Sequence, residues 1–203
     1  MKPGSAIDHL IQVNEFAWSL YNSNSENEAK KNMSPKHLKV LIANLENNKV
    51  QYLLIGGFAM AFHGHVRATD DIDLWIKNSP ENMANLRKAL IETGMPEARV
   101  LRDTSQPVGG FTVFNLLETD FKVDLSHNLK AFKEGDFDAC YERAKVSDYH
   151  GMKIPVLSAE DLFKEKQSVA RAKDAGDISF LQNLINKITR NKSSWGNDPG
   201  ISM

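Results

Sequence analysis

The run Tyr52-Leu-Leu-Ile-Gly-Gly-Phe-Ala-Met-Ala-Phe-His-Gly-His-Val-Arg-Ala-Thr-Asp-Asp-Ile-Asp-Leu-Trp-Ile76 constrains this chain more than any other stretch. Asp71 and Asp73 alternate with Ile72, Leu74 and Ile76 as in a strand entering a core, so both carboxylates project from one face. Like charges held that close repel each other and need a cation. Hard oxygen ligands on a rigid strand suit Mg²⁺, or Mn²⁺ in its place, which takes one or two carboxylates and fills its remaining positions from water and substrate phosphates.

The other half of the site lies fifteen residues upstream. Residues 52–55 form a short apolar run that reads as a buried strand, Gly56 and Gly57 break it, and residues 58–62 have the apolar density of a helix. A strand, a glycine turn and a helix start present backbone N–H groups with no side chain in the way, which makes an anion cradle. Cradle and carboxylates together imply a nucleoside triphosphate bridged to metal. Taken alone, a glycine pair is a tight turn and an Asp-x-Asp is a solvated or capping pair; only their spacing, with Arg67 and Thr69 between them, favours the functional reading.

Gly-Gly, thirteen residues, then Asp-hydrophobic-Asp-hydrophobic resembles the signature of the nucleotidyltransferase superfamily that shares the DNA polymerase beta palm. The fuller string, running through His63-Gly64, Arg67, Thr69 and Asp71-Ile-Asp73, resembles the short bacterial branch related to AbiEii-type toxins. The resemblance implies an α+β palm with a mixed, largely antiparallel sheet flanked by helices, and a third carboxylate on a later strand. Asp124 fits within Phe121-Lys-Val-Asp-Leu-Ser, because Phe121, Val123 and Leu125 would face the core and Asp124 the opposite side. Asp120 and Glu118 share its parity and are the rivals; the apolar flanks favour Asp124.

A second stretch, Leu157-Ser-Ala-Glu-Asp-Leu-Phe-Lys-Glu-Lys166 continuing through Arg171-Ala-Lys173-Asp174 to Asp177, resembles the same branch. Ser158 followed by Asp161 reads as a capping-box variant, so a helix starts there. Lys166 and Lys173 lie seven apart and share a face if that helix is continuous. Lys166 is assigned to the triphosphate as a point charge, with Lys173 beside it. Against this, a basic stripe is commonly a solvated face, Lys173 and Asp177 make an i,i+4 surface pair, and Asp174 caps a new helix. Arg67 either grips phosphate or holds the acids apart. Thr69 reads as a loop hydroxyl fixing the turn into the Asp strand, and Asp70 faces away. His63 and His65 lack further His or Cys partners, so loop-shaping hydrogen bonds fit them better than zinc.

Composition bounds the remainder. A net charge of −1 in 203 residues supplies no global field toward nucleic acid or membrane, although residues 164–192 carry seven Lys or Arg against three acids. Cys140, the single cysteine, excludes an internal disulfide. No apolar run approaches a membrane span and no signal-like apolar core opens the chain, so a cytoplasmic protein is expected. The expected organisation is an N-terminal helix and polar linker over 1–33, a catalytic core over 34–157, C-terminal helices over 158–190 completing the nucleotide site, and a flexible tail over 191–203. Within the core, the patterns predict helices opened by Ser34-Pro35 and Ser79-Pro80, and strands at 98–102, 111–117 and 121–126. A polar helix near 136–143 and a hairpin turning at Gly151 complete it.

The mechanism implied by the resemblance is metal-assisted nucleotidyl transfer: Asp71 and Asp73 hold metal on the triphosphate, Asp124 completes a second site near the acceptor hydroxyl, and pyrophosphate leaves in line. RNA is the favoured acceptor because of the basic segment, with protein and small molecules as alternatives, and a toxin–antitoxin setting implies a small partner protein. The competing expectation is a non-catalytic nucleotide-binding or partner module that keeps the palm fold.

Overall fold

In the computed structural model the described residues are 3–24, 30–101 and 111–195. Four helices and two strands precede the connection to the sheet's outer half: α1 (Pro3–Asn24), α2 (Pro35–Asn47), β1 (Tyr52–Leu54), α3 (Gly56–Phe62), β2 (Asp71–Ile76) and α4 (Pro80–Glu92). After them come β3 (Phe111–Asn115), β4 (Lys122–Ser126), α5 (Phe137–Glu142), β5 (Lys145–Tyr149), β6 (Met152–Val156), α6 (Ala159–Val169) and α7 (Ala175–Trp195). The six strands form one mixed sheet in the order β3-β4-β2-β1-β6-β5. The neighbours β3–β4, β2–β1 and β6–β5 are antiparallel, while β4–β2 and β1–β6 are parallel. This is the mixed, largely antiparallel α+β arrangement expected.

Local chemistry sets the element ends. Pro80 occupies the first turn of α4, and Ser79 Oγ accepts the Asn82 N–H at 3.3 Å. The helix stops at Thr93, followed by Gly94 at φ +97°, a value that favours glycine. His150 and Gly151, both at positive φ, make the two-residue turn between β5 and β6, as primed hairpin turns require. The strand expected at 98–102 is not there: Pro96–Val100 is a 3-10 helix, opened by a proline with fixed φ, and Arg102 lies outside the described residues. The C-terminal helix also runs further than composition suggested, through Trp195.

The core is continuous from helix to sheet. Ile7, Leu10, Ile11 and Trp18 of α1 are buried, α1 packs on α3 and β5, and Trp18 and Phe58 both contact the Phe121 ring at centroid distances of 6.2 and 6.1 Å. α2 packs on α4 and β6, and α6 on α7. On one face of the sheet, Trp75 is sealed beneath Phe132 and Phe137, with ring centroids at 5.6 and 5.2 Å, and its indole N–H donates to His127 O. By strand alternation Asp71 and Asp73 share that face. Its Trp75 end is therefore closed by aromatics, and the carboxylates stand where β2 begins.

Candidate active site

Parallel pairing of β2 with β4 sets Asp73 opposite Asp124 and Asp71 opposite Lys122. Asp71, Asp73 and Asp124 can each offer one oxygen such that all three lie within 4.8 Å of one another. The third carboxylate is thus Asp124. Of its rivals, Asp120 instead accepts the Lys31 N–H at 2.8 Å, and Glu118 lies outside this cluster.

Neighbouring backbone and hydroxyl groups hold two of the three carboxylates. Thr69 Oγ1 donates to Asp71 Oδ1 at 2.7 Å, the loop-fixing role expected of that hydroxyl. The Thr69 N–H in turn donates to Asn14 Oδ1 at 2.9 Å, so a buried residue of α1 steadies the loop that leads into β2. Gly57 donates its N–H to the Asp73 carboxylate. Gly56 sits at φ +63°, and a Cβ there would overlap Asp73 Oδ2, so the position needs glycine for both backbone and space. A Cβ on Gly57 would press against Thr69 Oγ1 at 2.7 Å. The glycines are the first residues of α3 rather than a turn before it.

Electrostatics mark the cluster as short of positive charge. Burial, then Asp71 and Asp124, push Asp73 up to about 7, against the pull of Lys166 and the Gly57 N–H. Burial and Asp71 push Asp124 up to about 6, opposed by Lys122. Asp124 Oδ1 is buried, and none of the described residues donates a hydrogen bond to it. A buried acceptor without a donor is costly unless a cation or proton completes it. Three convergent carboxylates, one with an orphaned oxygen, are a donor set that fits a hard divalent cation.

The cavity at the cluster, about 230 Å³, is also lined by Arg67, Lys130, Lys166, Arg171, Lys173 and Asp174. Two of the expected phosphate ligands are already engaged. Lys166 Nζ is buried, 2.9 Å from Asp174 Oδ1 and 2.8 Å from Asp177 Oδ2. Arg67 grips Asp177 through two bonds of 3.0 and 2.9 Å. Arg171 Nε donates to Asp174 Oδ2 at 2.8 Å. Burial alone would raise Asp174, but Arg171 and Lys166 hold it down at about 2; Arg67 and Lys166 likewise overrule burial and keep Asp177 low.

This network corrects three expectations. Lys166 and Lys173 do not share a continuous helix, because α6 ends at Val169 and Ala170 turns left-handed at φ 51°. Asp177 is fully buried with Arg67, Lys166 and, at 3.4 Å, His65, so it is no surface partner of Lys173. Asp174 is an ion-pair residue before it is a helix cap. Lys173 does reach the cavity from the 3-10 turn Ala172–Asp174.

The two histidines act as loop-shaping groups. His63 Nε2 lies 2.9 Å from Leu157 O, and burial lowers its pKa, so the neutral ring donates there. His65 stacks on Phe180 of α7 at 4.8 Å.

Glu165, Asn128 and Leu129 also line the cavity and were not picked out by sequence patterning. Glu165 sits three residues after Leu162 on the helix, a spacing that was visible, whereas nothing in the residues 126–131 marks them as a cavity wall.

Among the described residues no helix is long and apolar enough to cross a membrane. No curated protein matches the chain. Solved structures that align with it include the lincosamide antibiotic adenylyltransferase LnuA bound to lincomycin, 18% identical over 75% of this chain and 98% of that one, with a TM-score of 0.47. The antibiotic-resistance factor ANT(2'')-Ia is 13% identical over 79% of this chain and 94% of that one, TM-score 0.46. An antigenic nucleotidyltransferase-like protein from Paracoccidioides brasiliensis is 19% identical over 76% and 78%, TM-score 0.46. Residues 40–192 match the family profile described as nucleotidyl transferase AbiEii toxin, type IV TA system. That match takes in the glycine turn, all three carboxylates and the Lys166–Asp174–Asp177 network, and the chain belongs to the AbiEii nucleotidyl transferase toxin family of type IV toxin–antitoxin systems.

Proposed function

We propose that the protein moves a nucleoside monophosphate from a nucleoside triphosphate to an acceptor hydroxyl, with Asp71, Asp73 and Asp124 holding a divalent cation, Mg²⁺ or Mn²⁺. The observation that carries this reading is the convergence of the three carboxylates around the partnerless Asp124 Oδ1. When bound, the cation supplies charge that offsets the triphosphate and lowers the pKa of the acceptor hydroxyl. The chain's own groups set the geometry. Thr69 fixes Asp71, the Gly57 N–H orients Asp73, and Gly56, lacking a Cβ, makes room for the Asp73 carboxylate. Lys173 and Arg171 present positive charge to phosphate oxygens at the cavity, while Lys166 and Arg67 hold the C-terminal segment against the catalytic loop. The acceptor we favour is an RNA 3′ end, reached along the basic segment 164–192, of which Lys173, Lys187 and Arg190 are exposed. The reaction belongs in the cytoplasm, where nucleoside triphosphates and RNA coexist, within a toxin–antitoxin pair.

The test is label transfer from each α-³²P nucleoside triphosphate, with Mg²⁺, into cellular RNA, protein and small-metabolite pools. Label is expected in RNA, in a yield that falls as salt rises. Asp71→Asn and Asp73→Asn should abolish it while the metal-free melting temperature stays equal or rises, since each removes one of several repelling, half-buried charges. Transfer that persists in both variants refutes the site. Label confined to small molecules refutes the RNA acceptor.

A further inference from the structure

We infer that Glu165 is a positioning residue: its carboxylate clamps the 128–131 loop by two consecutive backbone N–H groups and so holds Leu129 in an apolar wall for the nucleobase of the triphosphate. The inference rests on the proposed nucleotide substrate. Glu165 Oε1 accepts the Lys130 N–H at 3.2 Å and Oε2 the Ala131 N–H at 2.8 Å. These N–H groups belong to a stretch outside any helix or strand, between β4 and the 3-10 turn Glu134–Asp136. An ionised carboxylate accepts at two oxygens and donates nothing, so it suits two adjacent donors. The same loop is tied at its start by Ser126 Oγ, which donates to Asn128 O at 2.6 Å.

Glu165 lines the cavity itself, where a free carboxylate would repel a polyanion. Its charge is committed to backbone dipoles instead, which explains why an acid is compatible with that wall. Leu162, Glu165, Lys166 and Val169 follow one another at helical i, i+3, i+4 and i+7 spacing, and all four line the cavity from α6. Leu162 and Val169, joined by Leu129 from the clamped loop, supply apolar surface distinct from the carboxylates and cations that serve metal and phosphates. A planar nucleobase is the part of the substrate that apolar surface recognises.

The experiment compares binding of Mg²⁺ with ATP, GTP, CTP or UTP to binding of Mg²⁺ with inorganic tripolyphosphate, by calorimetry on the full chain. Glu165→Gln keeps the size but turns one acceptor into a donor facing an N–H. It should weaken the preferred nucleotide about tenfold, as loss of a hydrogen bond to a charged group does, raise KM with kcat unchanged, and leave tripolyphosphate binding as in the wild type. Leu129→Ala should give the same split without touching the clamp. Equal weakening of both ligands, or of neither, overturns the base-wall role while leaving the transferase reading intact. A wild-type protein that binds tripolyphosphate and nucleotide equally well also overturns it. If the wild type binds no nucleotide with metal, the transferase reading fails, and this inference with it.

Discussion

Replacing Lys166 by Met keeps most of the side chain's length and removes the cation shared by two buried carboxylates. In the wild type, Asp174 and Asp177 are both fully buried, and Lys166 Nζ stands 2.9 and 2.8 Å from them. Each acid has one other strong partner, Arg171 for Asp174 and Arg67 for Asp177. Removing one member of a buried ion network costs roughly 3–5 kcal/mol, because the remaining charges stay desolvated. The surviving arginines put the expected loss near the lower end, about 3 kcal/mol. At roughly 2–4 °C per kcal/mol for a chain of this size, the melting temperature should fall by about 6–12 °C. Its pH dependence gives a second signature. Asp174, held at about 2 against an ordinary 3.8, contributes stability that is present above its unfolded pKa and lost as pH falls from about 4 through 2. Without Lys166 the folded pKa rises, so this acid-sensitive contribution shrinks. Thermal and urea unfolding at pH 7 and across pH 2–5 would measure both. A side chain that served only to reach phosphate would be a strained, unpaired buried cation, and its removal would leave stability unchanged or raised. A melting temperature within about 2 °C of wild type refutes the interlock.

Two other perturbations probe the carboxylates. Asp73 and Asp124 have folded pKa values of about 7 and about 6, above the ordinary 3.8, so their protonated forms favour folding below about pH 4 and that contribution is lost as pH rises toward 7. The stabilisation given by Mg²⁺ with nucleotide should therefore grow from pH 5 to pH 8, and a thermal shift flat over that range contradicts the assignment. Gly56→Ala adds a Cβ that overlaps Asp73 at a backbone φ of +63°, costing roughly 1–2 kcal/mol from backbone conformation alone and displacing the carboxylate. Label transfer should fall at least as far as in Asp73→Asn; an active alanine variant would show that the close approach is unnecessary.

The carboxylate cluster was legible because strand alternation is local. Ile72, Val123 and Leu125 are buried, and the residues between them had one face left to occupy. Register between β2 and β4 is a long-range property, yet any parallel pairing that buries both apolar sets brings acids of like parity to one face. The ion network was not legible in the same way. Lys166, Asp174 and Asp177 meet only because the chain reverses at Ala170, and glycine or asparagine, the usual signal of a left-handed helix end, is absent there. The sequence pattern sets the break between the two C-terminal helices at about 172–174 rather than at Ala170, and so leaves Lys166 and Lys173 on one face and Asp177 at the surface. The missed 3-10 turn has a related cause: residues 98–102 are a short mix of apolar and charged residues that a preceding proline can fold as a turn. Asn14 offered a signal that composition obscured. It continues the 7, 10, 11, 14, 18 stripe of buried α1 positions, where a polar residue must find a partner.

That partner gives α1 an influence that its position in the chain conceals. Asn14 Oδ1 takes the Thr69 N–H, and Thr69 Oγ1 takes hold of Asp71, so two hydrogen bonds link a helix preceding the matched residues 40–192 to the first acid of the site. Tolerance to substitution along α1 should therefore be unequal. Phe16 and Leu20, on its exposed side, should tolerate substitution, whereas position 14 requires a side chain that presents an oxygen at the same reach. Loss of that oxygen would be felt first in the placement of Asp71, before the helix ceased to pack.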